Sequence, residues 1–248
     1  MPLKLLIDEM RKARRMVVLT GAGMSTESGL PDFRSSDGLW RKHRPETLAT
    51  VEAMRERPLL FYEFYRYRLD LLAKAQPNAA HAALVELEKR GRIKRIITQN
   101  VDGFHSRAGS TDVAEIHGTL RHARCHDCGR QFSAKVLQKP VQSIDETPRC
   151  DCGGRIRPGV VLFGEPLPEK PFQRAVQAIE ACDGMLIIGS SLQVYPAAAL
   201  PEHAIKRGLR LWIINMAPTP FDHAAHVVVH APAGEVLPQV AEALAHRL

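Results

Sequence analysis

Five short apolar runs constrain this chain more than any other feature: residues 16–20 (MVVLT), 95–98 (RIIT), 185–189 (MLIIG), 211–215 (LWIIN) and 227–230 (VVVH). Side chains of a strand alternate between its two faces, so a strand without polar alternation is buried on both, as in a parallel sheet covered by helices. Helical segments with suitable start and stop residues lie between the runs. Asn78 can cap a helix stopped by Gly91, and Pro58 opens a segment reaching Lys74. Pro168 opens a helix ending near Asp183, and Pro196 opens one closed by Gly208. This alternation predicts an α/β fold with a Rossmann-like, doubly wound parallel sheet. Two stretches interrupt it. Residues 120–158 are rich in cysteine, proline and polar residues and predict an insert, and residues 31–58, rich in Arg, Asp and Gly, predict a loop leading into helices.

The composition fits one large globular unit with a smaller insertion. Of 248 residues 45% are hydrophobic and 25% charged, with 17 Gly and 17 Pro scattered rather than clustered, which excludes collagen-like, disordered and coiled-coil chains. No apolar run approaches the ~18 residues that span a bilayer, and the first fifteen positions are charged throughout, so neither a membrane nor a secretory route is expected. The net charge of +7 favours acidic partners without choosing among phosphates, nucleic acid and acidic protein segments, and a solvated surface accounts for it equally.

Four of the five cysteines fall between residues 125 and 152, which points to a metal site in a reducing, cytoplasmic compartment rather than a disulfide framework. Cys182 stands apart and is expected in the core. Cys125 and Cys128 form one pair, Cys150 and Cys152 the other, and a glycine follows each. Four thiolates make a closed tetrahedral site for one structural Zn2+, with no position left for water. One intervening residue in the second pair tightens its bite. His122 and His126 compete only weakly as ligands, and the neighbouring Arg121, Arg124 and Arg130 raise the alternative of a zinc ribbon that binds nucleic acid.

The first strand runs into LTGAG, a Gly-x-Gly turn that lets a backbone approach a pyrophosphate. Thr26 stands where a third glycine would complete the dinucleotide fingerprint, so a plain strand-to-loop turn accounts for the motif at least as well. No GK[ST] follows, which disfavours nucleotide hydrolysis. Thr98, Gln99, Asn100, Val101 and Asp102 follow the RIIT strand and would project beyond the carboxyl end of a parallel sheet, where such folds bind ligands. Helix capping by Asn100 or Asp102 is the competing explanation. His117 is one of eleven histidines and suits a general base near neutral pH.

Residues 21–34 (GAGMSTESGLPDFR) resemble, nearly residue for residue, the cofactor loop of the sirtuins, the NAD-dependent protein deacylases. The resemblance continues through TQNVDGFH at 98–105, His117-Gly118, the four cysteines, GSSL at 189–192 and Asn215, and so spans most of the chain in the family's order. It implies that Gly21, Ala22, Gly23, Ser25, Phe33 and Arg34 surround NAD, with Phe33 shielding the reacting face. It further implies that Gln99, Asn100, Val101 and Asp102 hold the nicotinamide ribose and carboxamide, Asn100 and His117 being catalytic. Gly189, Ser190, Ser191, Asn215, Met216, Ala217 and Ala233 would meet the phosphates and adenosine. In the implied reaction the acyl oxygen attacks C1′ of the nicotinamide ribose and nicotinamide leaves. His117 then deprotonates a ribose hydroxyl that attacks the resulting imidate, and hydrolysis of the adduct gives deacylated lysine and O-acyl-ADP-ribose. Val160, Val161, Phe163, Gly164 and Glu165 (VVLFGE) resemble the strand and loop that line the acyl-lysine channel, where peptides pair by backbone; a core strand is compatible with the same residues. Gly103-Phe104 replaces the family's usual bulky pair and leaves the packing of that loop open.

Tyr65 and Arg68 share a helix face, and a phenol beside a guanidinium can bind a carboxylate. The pair, with residues 38–50, resembles the class III subgroup that removes succinyl and malonyl groups; an interfacial tyrosine with a surface arginine paired to Glu63 or Asp70 is the alternative explanation. The expected organisation is an NAD-binding domain over 1–30, 93–118 and 159–248, a cofactor loop and helical segment over 31–92 that belongs partly to a small domain, and a zinc module over 119–158. Acyl-lysine proteins or peptides are the expected partners, with no requirement for nucleic acid. A protein ADP-ribosyltransferase and a zinc-dependent nucleic-acid-binding module are the alternatives.

Overall fold

A computed structural model describes residues 2–32 and 45–245. In chain order the strands are β1 (Met16–Thr20), β2 (Ile93–Thr98), β3 (Val113–Glu115), β4 (Gly118–Cys125), β5 (Gln131–Ser133), β6 (Ile156–Val160), β7 (Gly184–Ile188), β8 (Arg210–Ile214) and β9 (Val227–Val229). The helices are α1 (Pro2–Arg11), α2 (Pro45–Leu48), α3 (Val51–Glu56), α4 (Pro58–Lys74), α5 (Ala79–Lys89), α6 (Phe104–Ala108), α7 (Glu169–Glu180), α8 (Ala199–Lys206) and α9 (Ala233–Ala243).

The large sheet has the order β3-β2-β1-β7-β8-β9, and every pairing in it is parallel. Counted along the chain, its six strands lie third, second, first, fourth, fifth, sixth, the order of dinucleotide-binding folds. The continuous apolar runs have the expected cause: all five residues of β1 and all five of β7 are buried. Alternate residues of β1 enter separate cores. Met16 and Val18 pack with Leu84, Trp212 and Leu237 on one face, while Val17 and Leu19 pack with Ile179, Leu200 and Ile213 on the other. Cys182 lies half-buried against the second core.

The expected boundaries shift where charge masks the pattern. Strand β2 begins at Ile93 rather than at residue 95, because exposed Lys94 breaks the apolar run. Arg95 lies within the strand, its guanidinium 2.7 and 2.9 Å from the carboxylate oxygens of Asp112. Helix α8 opens at Ala199 with Pro201 in its first turn, where a missing N–H costs no helical bond. Asn78 caps α5 as expected, its side-chain oxygen accepting from the N–H groups of Ala80 and His81.

A three-stranded antiparallel sheet, β5-β4-β6, forms a second unit. Its core joins Leu120, Ala123, Cys125, Ile156 and Val160 to Ala53, Met54, Phe61, Tyr62 and Tyr65 of α3 and α4. The Tyr62 hydroxyl donates to the Ile156 carbonyl at 2.9 Å and ties the helices to the sheet. Among the described residues no helix is long and apolar enough to cross a membrane.

Candidate active site

A cleft of about 700 Å³ opens where the strand order reverses between β1 and β7. Thr20 and Ile188 are in register, so both strands end level and their following turns meet. A Cβ on Gly23 would lie 2.7 Å from Gly189 Cα, and one on Gly189 would lie 2.4 Å from the Met24 nitrogen. Gly189 also has φ 60°. The glycines are therefore demanded first by the packing of two backbones against each other, joined by the Gly23 N–H to Gly189 carbonyl bond at 2.8 Å. Two 3-10 turns, Ala22–Met24 and Thr26–Ser28, follow β1 in place of an α-helix. Thr26 instead donates its hydroxyl to the Gly23 carbonyl at 3.0 Å, which explains the missing third glycine.

The residues after β2 face this junction. Asn100 and Asp102 are 8% and 7% exposed, so their polar groups need protein partners. The Asn100 amide donates to the Gly21 carbonyl at 3.0 Å and to Ser25 Oγ at 3.2 Å, and Ser25 Oγ donates to Asp102 Oδ2 at 2.8 Å. The other Asp102 oxygen accepts from the Phe104 N–H at 2.8 Å. The N-cap of α6 is Gly103, without a side-chain cap bond, so neither Asn100 nor Asp102 is the cap; Asp102 holds the first helical N–H from the position before it while lining the cleft. Burial pushes the Asp102 carboxyl above the usual carboxylate range, opposed by the Phe104 and Ser25 bonds and the charges of Arg68 and Arg107. Gln99 donates to Ser190 Oγ at 2.9 Å, joining the loops after β2 and β7. Phe104 is fully buried, while Gly103 leaves room for the Arg121 side chain, settling the loop's packing.

His117 Nδ1 lies 3.0 Å from the Gln99 carbonyl oxygen. A carbonyl only accepts, so Nδ1 carries the proton in the neutral ring and Nε2 keeps its lone pair. Burial lowers the His117 pKa below the ordinary histidine value, the Gln99 bond opposing it. Neutral imidazole is therefore the form present near pH 7.

Tyr65 and Arg68 reach the same cleft from α4. The Arg68 guanidinium lies 5.7 and 5.8 Å from the ring centroids of Phe64 and Tyr65 and hydrogen-bonds Tyr65. Burial pushes the Tyr65 phenol up to about 12, with Arg68 opposing. The surface ion pair that the alternative explanation required belongs to Arg66, 3.8 Å from Asp70. Val161, Phe163 and Gly164 line the cleft, as do Ala22, Ser191, Asn215, Met216, Ala217 and Ala233. Phe33 and Arg34, and most of residues 38–50, lie outside the described residues. Val160 and Glu165 line the cleft as the resemblance implied, whereas sequence reasoning missed Glu27, Leu72, Leu120 and Tyr195, which line it as well.

The four cysteine sulfurs lie within 4.8 Å of one another, the nearest pairs at 3.5 and 3.7 Å. A tetrahedron of sulfurs at ~2.3 Å from zinc has edges of ~3.8 Å, so the cage fits the ion despite its shorter second pair. Gly129 and Gly153 turn with φ 73° and 86° to bring the thiols together. The N–H groups of Asp127 and Cys128 donate to Cys125, and that of Gly154 to Cys152, as charged thiolates require. Arg121, Arg124 and Arg130 each face a carboxylate, of Glu115, Glu165 and Asp151 respectively.

The Sir2 family profile matches residues 21–196. The chain is 49% identical over 235 residues to NAD-dependent protein deacetylase 1 of Geobacillus kaustophilus, covering 94% of this chain and 95% of that one. It is 44% identical over 242 residues to NAD-dependent protein deacylase 2 of Pyrobaculum aerophilum, covering 97% and 95%. Among solved structures, a Sir2 enzyme bound to a propionylated peptide superposes with a TM-score of 0.87 at 36% identity, covering 98% of each chain.

Proposed function

We propose, from the premise that this chain belongs to the Sir2 family and is an NAD-dependent protein-lysine deacylase, how its own residues carry that reaction. NAD, the co-substrate, supplies an electrophilic ribose carbon and nicotinamide as leaving group. The loops after β1, β7 and β8 and the first residue of α9 hold its phosphates and adenosine through Gly21 to Ser25, Gly189 to Ser191, Asn215 to Ala217 and Ala233. Asn100 and Asp102, immobilised by Ser25, orient the nicotinamide end, Gln99 and Val101 beside them. His117 receives a proton from a ribose hydroxyl at Nε2, because Nδ1 is committed to Gln99. Val161, Phe163 and Gly164 take the acyl-lysine peptide by backbone pairing, which makes recognition tolerant of sequence. Phe33 is assigned to shielding the reacting face and Arg34 to the cofactor loop. The cysteine cage holds the smaller sheet together and is remote from the chemistry in kind: a four-sulfur site has no open position.

One observation carries this reading: every described residue that the family resemblance assigns to cofactor, base or peptide lines a single cleft at the sheet's switch point. The acyl preference rests on a second. Arg68, stacked on two aromatic rings and bonded to Tyr65, presents a cation in that cleft beside apolar Leu72 and Leu120. A guanidinium and phenol there favour an acyl group ending in a carboxylate, succinyl or malonyl, alongside acetyl.

The test compares acetyl-lysine and succinyl-lysine peptides with NAD, following peptide and O-acyl-ADP-ribose by mass spectrometry in wild type and Arg68→Met. Loss of a charge-assisted bond, ~1.5–3 kcal/mol, lowers kcat/KM for the succinyl peptide by ~10–100-fold and leaves the acetyl peptide within threefold. Equal effects on both peptides refute the clamp. Transfer of label from NAD onto protein without acyl loss refutes the deacylase reading in favour of ADP-ribosyl transfer.

A further inference from the structure

Arg157 is fully buried in β6, yet neither the apolar core nor the cysteine cage gives it a counter-charge. Its partner is Glu165, eight residues on, at the end of the segment that lines the cleft. Nη1 lies 2.5 Å from Oε1 and Nη2 lies 2.9 Å from Oε2, a two-pronged pairing, and Nη2 also donates to the Val160 carbonyl. The same Glu165 Oε2 accepts from the Leu162 N–H at 2.8 Å, while the Glu165 N–H donates to the Leu162 carbonyl at 3.0 Å. The carboxylate thus closes a small ring on its own backbone. Burial alone would raise its pKa, but bonds from Arg157 and Leu162 and the charges of Arg157 and Arg124 outweigh that and hold Glu165 below the usual carboxylate range.

The other anchors of this segment come from different parts of the molecule. The Val161 N–H donates to the His117 carbonyl and the Phe163 N–H to the Ala49 carbonyl, both at 2.9 Å. Between them Val161, Phe163 and Gly164 face the cleft, and Phe163 is 42% exposed. A surface that recognises an extended peptide by its backbone gains affinity when its own backbone is fixed beforehand. A buried guanidinium is costly unless its partners are well placed, and here the Glu165 carboxylate and the Val160 carbonyl supply them at the edge of the cleft-lining segment.

We propose that Arg157 and Glu165 are positioning residues that preset the peptide-binding segment 161–164, and so set the KM for the acyl-lysine peptide without a part in NAD binding. This rests on the deacylase reading for its kinetic expression. Glu165→Gln keeps the shape but replaces one acceptor oxygen with a donor. It should raise the peptide KM about tenfold, the effect of one charge-assisted hydrogen bond, with kcat and the calorimetric NAD affinity within twofold of wild type. Deuterium exchange at the Leu162 amide should accelerate at least ~10-fold as its acceptor weakens. Arg157→Lys, which keeps the charge and loses the two-pronged geometry, should shift the same quantities in the same direction and serves if Glu165→Gln fails to fold. An unchanged peptide KM in the folded variants, an NAD affinity that falls in parallel, or unchanged exchange at Leu162 overturns the proposal. Should wild type remove no acyl group at all, the deacylase reading fails separately, and amide exchange at Leu162 still decides the positioning role.

Discussion

Acid should destabilise this protein through two histidines that lie behind the site. His81 of α5 and His105 of α6 are 0% and 2% exposed, with ring centroids 4.9 Å apart. Thr20 donates its hydroxyl to Thr98, so His105 Nε2, 2.9 Å from Thr20 Oγ1, is the donor to that oxygen. Burial pushes His81 from 6.5 to about 4, and burial with the repulsion of His81 pushes His105 to about 3. Both folded values lie below the unfolded one, so between them the unfolded chain binds more protons and stability rises with pH. The contribution is fully present above the unfolded value and is lost as pH falls towards the folded values, at up to ~1.4 kcal/mol per pH unit for each ring. From pH 7.5 to 5 this amounts to ~2 kcal/mol each and ~4 kcal/mol together. Urea unfolding followed by tryptophan fluorescence over that range measures it. Losses from carboxylates and thiolates are common to wild type and variants, so the difference isolates the rings. His81→Gln should remove about half of the histidine contribution. In imidazole NMR spectra, two of the eleven histidines should stay neutral down to pH 5. Either ring titrating near 6.5, or an acid loss unchanged in the double variant His81→Gln/His105→Gln, refutes the reasoning.

His117→Ala should lower turnover at least ~100-fold while leaving a folded protein that retains its metal, as activity, circular dichroism and metal analysis will report. Because burial lowers the His117 pKa and the Gln99 bond only opposes it, the acidic limb of the kcat/KM profile should fall below pH 6.5; a limb above pH 7 contradicts the assignment. Stripping the metal with a chelator removes the ion that the four clustered thiols are arranged to share. It should cost at least ~3 kcal/mol, or about 10 °C in Tm, and abolish activity. Full activity in protein shown to be metal-free would contradict a structural zinc.

The strands were legible because burial on both faces writes itself into consecutive apolar residues, and β1 and β7 carry no polar position to blur it. The Tyr65 and Arg68 pair was legible for a similar reason, since helical periodicity puts positions three apart on one face. What the sequence concealed depends on contacts between distant segments. Gly23 meets Gly189 across 166 positions, and nothing local distinguishes a glycine that admits a backbone from one that admits a phosphate. His81 and His105 sit on separate helices and are hidden by the same rule: a histidine in a helical pattern carries no mark of whether it will be solvated or sealed. Asp102 shows why choosing between cap and ligand was the wrong form of question. One oxygen holds the Phe104 N–H, where α6 begins after its Gly103 cap, and the other holds Ser25, so one carboxylate ties the entry to α6 to the polar floor of the cleft. The same economy places Glu165 on the Leu162 amide and on Arg157 together. In both cases one carboxylate joins local backbone to a residue far along the chain, and a reading that assigns each side chain one role finds the first partner and misses the second.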